Sequence, residues 1–253
     1  MKQTYTFFLL ILSLFSVGPL IAGKPILIVV TNHAEIGDTG APTGYFLSEV
    51  AHPWDVFTNA GHAVEFASPL GGFAPMDPKS FDLKDPINRA FWETLDMVEG
   101  LVSTQSLSEL SIQKYAAIFL AGGHGTMWDF AESTVVANRI ASFYDSGGVI
   151  AAVCHGPVAL VNVTLQNGMP LVSGKRVAGF TNSEEAAVEL SEVVPFLLQD
   201  ALTEKGAIFI AGENFKPNVV VSERLVTGQN PASATEAAAA VIELIKESLL
   251  IDG

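Results

Sequence analysis

The single cysteine of the chain, Cys154, is followed directly by a histidine in the stretch GGVIAAVCHGPVAL, residues 147–160. An apolar run ends at the thiol, and Gly156 and Pro157 then break the pattern. Cys154 is therefore expected on a sharp strand-to-helix turn that projects its side chain at the sheet edge. Backbone N–H groups and the dipole at a helix start favour the thiolate, which is the nucleophilic form. The same position also suits a small buried hydrophobe, because free cysteine is among the most buried residue types. His155 is a candidate base, and triad logic asks for a carboxylate to orient it. Glu185 in FTNSEE is one such acid and Glu184 is its neighbour. Both equally fit the solvated first turn of a helix.

Two further stretches carry chemistry. AGGHGTMWD places Gly122, Gly123 and Gly125 around His124 directly after an apolar run. Such a turn brings bare N–H groups close to a site, where they stabilise an oxyanion beside the N–H of His155. It also fits an ordinary turn. Glu49 in LSEVAHPW is flanked by Phe46, Leu47, Val50 and Trp54. On a buried helix face its carboxyl has a raised pKa and exchanges protons near neutrality. On an exposed face it is an ordinary helix glutamate. His33 and His62 show no ligand spacing, and there is no cysteine pair and no HExxH, so no metal is expected. NVT at Asn162 matches a glycosylation sequon, a triplet that also arises by chance.

The elements that position these residues alternate. KPILIVVT, HAVEFASP, YAAIFLAGG, GGVIAAVCHG, GKRVAGFT, AIFIAG and NVVVSERLVTG read as strands, several of them continuously apolar. TGYFLSEVAHPWDVFTNAG reads as a helix that Pro53 interrupts, kinks or restarts. INRAFWETLDMVEGL reads as an amphipathic helix and STVVANRIASFYDSGG as a helix ending at glycine. SEEAAVELSEVVPFLLQDALTEKG reads as broken helix. Asn230 and Pro231 are expected to cap and open a last helix. This alternation predicts a parallel sheet covered on both faces. Sites in such sheets form at the carboxyl ends of the strands, where TNHAEIGDTG, AGGHGT and VCHGP all fall.

The 253-residue chain is 49% hydrophobic, with 22 glycines, 13 prolines and a formal net charge of −14. It has no basic cluster, which argues against binding a phosphate backbone. Residues 1–23, MKQTYTFFLLILSLFSVGPLIAG, have the charged start, apolar centre and small-residue end of a secretory signal peptide. The apolar centre is short against the ~20 residues of a membrane span; the alternative is an uncleaved anchor. Cleavage near Ala22 or Gly23 predicts an exported chain with no stable membrane association. A lone cysteine forms no internal disulfide and, once exported, is exposed to oxidation.

The stretches AAVCHGP, GGHGTMWDF, TGYFLSEVAHPWDVFTNAGHAVEFASPLGG, GKRVAGFTNSEE and RLVTGQNPASA together resemble the ThiJ/PfpI superfamily, and within it the glyoxalase III and chaperone-type branch. The resemblance covers nearly all of residues 24–253. It implies one α/β domain there, a flavodoxin-like three-layer sandwich with a mostly parallel central sheet and a nucleophile elbow. It implies that Cys154 is the nucleophile and His155 its partner. Glu185 then matches the acid of a Cys-His-Glu triad, and Glu49 the acid that contacts the thiol from the helix after the first strand. Gly123 and His155 would supply the oxyanion N–H groups. The implied activity is a cofactor-free, glutathione-independent lyase reaction that turns methylglyoxal, or a related α-oxoaldehyde, into lactate or its counterpart. Relatives are commonly homodimers and generally intracellular; an exported member points to a different reactive carbonyl. The competing readings are a holdase chaperone, an oxidation sensor working through Cys154, and a PfpI-type peptidase. The adjacent Cys-His pair argues against a glutamine amidotransferase, whose histidine lies far downstream.

Overall fold

In the computed structural model, which describes residues 23–251, the apolar runs lie side by side as strands. In chain order the elements are β1 (Gly23–Val29), α1 (Ser48–Asn59), β2 (His62–Ser68), α2 (Pro86–Glu93), α3 (Leu95–Val102), β3 (Gln105–Ser106), β4 (Ala117–Leu120), α4 (Thr126–Asp129), α5 (Thr134–Asp145) and β5 (Val149–Val153). They continue as β6 (Arg176–Val177), α6 (Asn182–Ala187), α7 (Leu198–Glu204), β7 (Ile208–Phe209), β8 (Val219–Ser222), β9 (Leu225–Gly228) and α8 (Ala234–Ile251). Residues 1–22, which hold nearly all of the expected signal peptide, lie outside the described residues.

The main sheet has the order β3-β2-β1-β4-β5-β9-β8. Every pair in it is parallel except the β8–β9 hairpin. Without its two edge strands the order is that of a flavodoxin-like sheet, with the switch point between β1 and β4. The strands are continuously apolar because both faces are covered. Along β1, Leu27 and Val29 join one core, with Ile118, Leu120, Ile150, Ala152 and the residues of α5. Ile26 and Ile28 join the other, with Phe119, Ala151, Val153 and the inner faces of α1 and α8. This period-two division of a single apolar run is the signature of a sheet buried on both sides. The expected three-layer α/β sandwich is therefore the observed one.

Several local expectations are corrected. Residues 43–47 are not helical, and α1 begins only at Ser48; Pro53 sits inside it without ending it. Proline carries no N–H, so its place in the helix leaves the Glu49 carbonyl without its ladder donor. The stretch read as one helix over 87–101 is two, broken at Thr94, which has extended backbone (φ −88°, ψ 96°). After Cys154 comes only a 3₁₀ turn, Gly156–Leu160, and not an α-helix. Asn230 makes no cap bond, and a 3₁₀ turn, Pro231–Ser233, precedes α8. The amide of Asn230 instead donates to Glu184 Oε1 and to the Lys216 carbonyl, both at 2.8 Å. Among the described residues, no helix is long and apolar enough to cross a membrane.

Candidate active site

Strand β5 delivers Cys154 to the carboxyl edge of the sheet, and the chain turns there at once. Cys154 has φ +58°, a left-handed conformation rare for a residue with a side chain. Strain of this kind persists only where the surroundings hold it. Here the Cys154 N–H donates to the Gly228 carbonyl at 3.0 Å, and its own carbonyl accepts from Phe180 N–H at 2.9 Å. The turn has the sharp, left-handed geometry at the strand end that the sequence leads one to expect.

Strand β4 ends beside it at the glycine turn. Gly123 has φ +102°, and a Cβ there would lie 2.1 Å from the Gly44 carbonyl oxygen. Only glycine lets this loop pass so close to the segment before α1. The N–H groups of Gly123 and His155 converge on the Cys154 sulfur, the placement an oxyanion site needs. Replacing Gly123 with alanine is expected to cost at least about 3 kcal/mol. The check is thermal unfolding, with a fall in Tm of roughly 6–12 °C.

Glu49, in the first turn of α1, is fully buried. Its Oε2 accepts from Gly122 N–H at 2.7 Å, its carboxyl lies against the Cys154 thiol, and Oε1 has no partner. Burial pushes its pKa up to about 8, although the Gly122 N–H and the thiol oppose the shift. At neutral pH it holds a proton. The reading of Glu49 as an exposed helix residue is excluded.

Thiol acidity runs opposite to expectation. Burial, and after it the neighbouring Glu49, push Cys154 well up, while the N–H groups of Gly123 and His155 pull it down less strongly. A single 3₁₀ turn offers little of the dipole that a full helix start supplies. At neutral pH the Cys154 side chain is therefore a thiol.

On the other side, His155 Nδ1 lies 3.4 Å from Cys154 Sγ, and His155 Nε2 is 2.8 Å from Glu185 Oε2. The second Glu185 oxygen, Oε1, is 2.9 Å from His124 Nε2. The two imidazoles lie against each other, tilted by 41°, with centroids 4.0 Å apart, and the Phe180 ring lies 4.4 Å from His155. Burial, with His124 beside it, lowers the His155 pKa to about 4, so this ring is neutral at pH 7. Burial opposes ionisation of Glu185, but the hydrogen bonds from His124 and His155 outweigh it and hold the carboxyl at about 2. An ionised carboxylate only accepts. Both imidazoles therefore carry their proton on Nε2, which leaves His155 Nδ1 bare toward the thiol.

His124 was singled out only as part of a glycine turn, because no sequence spacing ties it to Glu185, which lies 61 positions on. Glu184 and Glu185, adjacent in sequence, divide their work. Glu184 is fully buried. It accepts from Thr181 N–H and Oγ1 and from Phe215 N–H and Asn230 Nδ2, so it fastens the 211–217 loop beside α6. Asp129 does similar work for the glycine turn, accepting from Thr31 Oγ1 and Asn32 N–H at 2.8 and 2.7 Å. His33 stacks on Trp128 at 5.1 Å. Two clefts, of about 520 and 460 Å³, are lined by residues such as Asn162 and Asp200, and His52 and Asp85; neither is lined by Cys154. The sulfur residue itself is 3% exposed.

The profile of the DJ-1/PfpI family matches residues 41–244. Glyoxalase 3 of Candida albicans is 31% identical, across 86% of this chain and 96% of its own length. Glutathione-independent glyoxalase HSP31 of Saccharomyces cerevisiae is 29% identical, across 89% and 99%. Among solved structures, Rapid Encystment Protein 24 kDa of Francisella tularensis superposes with a TM-score of 0.85 at 37% identity, covering 88% of this chain and 99% of that one. Candida albicans glyoxalase III superposes with a TM-score of 0.81 at 28% identity, covering 87% and 96%. These relatives correct the expectation of export. Glyoxalase 3 and HSP31 fall in the glyoxalase III branch noted above as generally intracellular, so export is unsupported. By profile, sequence and superposition alike, the chain belongs to the DJ-1/PfpI family.

Proposed function

We propose that this protein is an enzyme of the glyoxalase III type, which converts methylglyoxal to lactate without glutathione at Cys154. The observation that carries this reading is the set of groups around one sulfur. A protonated Glu49 carboxyl lies on one side and a bare His155 Nδ1 on the other, with two backbone N–H groups aimed at the sulfur. The names of the relatives point the same way.

In the proposed mechanism, Cys154 Sγ attacks the aldehyde carbon, C1, and its proton passes to His155 Nδ1. The N–H groups of Gly123 and His155 hold the oxygen of the resulting hemithioacetal. A base removes the hydrogen of C1, giving an enediol, and a proton is returned at C2. Glu49 is assigned this transfer. Its carboxyl gives its proton to the C2 oxygen, and the carboxylate so formed takes the C1 hydrogen and delivers it to C2. The proton of the C1 hydroxyl, supplied earlier by His155, restores the carboxyl as the thioester forms. Burial holds the Glu49 pKa at about 8, where it both gives and takes a proton near neutrality. C1 is oxidised and C2 reduced, with no outside electron carrier. The product on the enzyme is a lactoyl thioester. Water, activated by His155, cleaves it to lactate and regenerates the thiol. A nucleophile only 3% exposed suits a small aldehyde better than a peptide chain, which favours this reading over the peptidase. A protonated, buried thiol is also a poor oxidation sensor.

The test is lactate formation from methylglyoxal by purified protein without glutathione, run beside peptide cleavage and suppression of aggregation. Absence of lactate at every enzyme concentration, with chaperoning that survives Cys154→Ala, would replace this reading with the holdase. Glu185→Gln is expected to lower kcat by about 10²–10⁴-fold with little change in KM. Its amide would donate to one imidazole Nε2, moving that ring's proton to Nδ1. At His155 the bare nitrogen facing the thiol would then be lost. Steady-state kinetics on the folded variant check this.

A further inference from the structure

The geometry points to a metal site on this triad: His124 Nε2, His155 Nε2 and the Glu185 carboxylate form a three-ligand site for a zinc-class divalent ion that switches the thiol off. The three donor atoms lie within 4.8 Å of one another. The two nitrogens are 2.9 and 2.8 Å from the two oxygens of one carboxylate. Ligand atoms around tetrahedral zinc sit roughly 3.3 Å apart, so each oxygen–nitrogen pair opens by a few tenths of an ångström and the two nitrogens, within 4.8 Å of each other, close by up to about 1.5 Å to form the ligand set.

The donor types decide the metal. Two imidazoles and one carboxylate suit zinc or its neighbours in the first transition row. Calcium and magnesium require oxygen-rich shells of six or more ligands. Three protein ligands leave one position open. The path in is on the His124 side, since that side chain is 15% exposed while His155 is fully buried. Charge compensation is at hand. Glu185 supplies one carboxylate, and the buried Glu184 carboxyl stands close enough to act on His155. The sequence reading expected no metal because these ligands come from three separate turns, after β4, after β5 and at the start of α6.

Occupancy has a defined consequence. The ion takes the Nε2 lone pairs, so each neutral imidazole must carry its proton on Nδ1. His155 Nδ1–H then donates toward Cys154 Sγ and no longer accepts the thiol proton. The thiol stays in place but loses its base, and removal of the ion restores it.

The experiment is calorimetric titration of the purified protein with zinc alone, together with cobalt(II) absorption spectra, on wild type, Cys154→Ser, Glu185→Gln, His124→Gln and His124→Phe. The phenylalanine variant keeps an aromatic ring against His155 and removes the ligand. Wild type and Cys154→Ser are expected to bind one ion per chain. The other three are expected to bind at least tenfold more weakly while unfolding at a similar temperature. Cobalt should give tetrahedral visible bands without the near-ultraviolet charge-transfer band of a thiolate ligand. In wild type, zinc should slow alkylation of Cys154 by iodoacetamide, and a chelator should reverse this. Binding lost in Cys154→Ser but kept in both His124 variants would mean capture by the thiol and would overturn the proposal, as would no binding up to millimolar zinc. None of these measurements uses methylglyoxal, so the site and the glyoxalase reading stand or fall separately.

Discussion

Cys154→Ser is expected to lower kcat/KM for methylglyoxal by about four orders of magnitude or more, in a protein that still folds. The substitution changes one atom, and the backbone at φ +58° is no more strained for serine than for cysteine. The loss is chemical. A hydroxyl is far less acidic than a thiol, and the imidazole that must take its proton is held at about 4 by burial. Such a base accepts the proton of a thiol that is adding to an aldehyde, but it is too weak to activate an alcohol. Steady-state lactate formation, with circular dichroism to confirm the fold, is the check. Residual activity within tenfold of wild type would remove the thiol from the mechanism.

Glu49→Gln is expected to cost about 10²–10⁴-fold in kcat, since glutamine keeps the shape and the contact with Gly122 but carries no transferable proton. It should also change how stability depends on pH. The folded pKa of Glu49 is about 8, above the ordinary value of 4.5. The folded state therefore binds the proton more tightly than the unfolded state. The stability tied to this group is complete below about pH 4.5 and falls as pH rises through 8. In the glutamine variant that decline is absent. Near pH 9 the variant should therefore unfold at a temperature roughly 10–20 °C higher than wild type, while near pH 5 most of the gap should close. Calorimetric scans across that range decide it; parallel curves for the two proteins would mean that Glu49 is ionised in the folded state.

These predictions rest on burial, and burial is the quantity the sequence expresses least directly. The strands were legible because Ile26 to Val29, Ala117 to Leu120 and Val149 to Val153 are apolar at every position, which only a sheet covered on both faces permits. The edge that carries the chemistry followed from where those runs end. The motif resemblance pointed to Cys154, Glu49, Glu185 and Gly123, whose groups the structure brings together. Three things were hidden. The break at Thr94 depends on how α2 and α3 pack, while the pattern of INRAFWETLDMVEGL reads as one helix. The direction of the thiol pKa depends on the fully buried Glu49 pressed against it, a contact between residues 105 positions apart. The second imidazole on Glu185 has no local signal at all, because His124 precedes it by 61 residues. Asn230 failed as a cap for a related reason, since its amide is committed to Glu184 and to the Lys216 carbonyl.

The central claim is that methylglyoxal is turned over as a covalent adduct of Cys154. Acid-quenched protein taken during turnover and analysed by peptide mass spectrometry tests this most directly. The expected result is one methylglyoxal unit on the peptide carrying Cys154. It should be present within one turnover, be gone when the substrate is exhausted, and be matched by the appearance of lactate without glutathione. Lactate formed while the Cys154 peptide stays unmodified, and formed equally by Cys154→Ser, would contradict it.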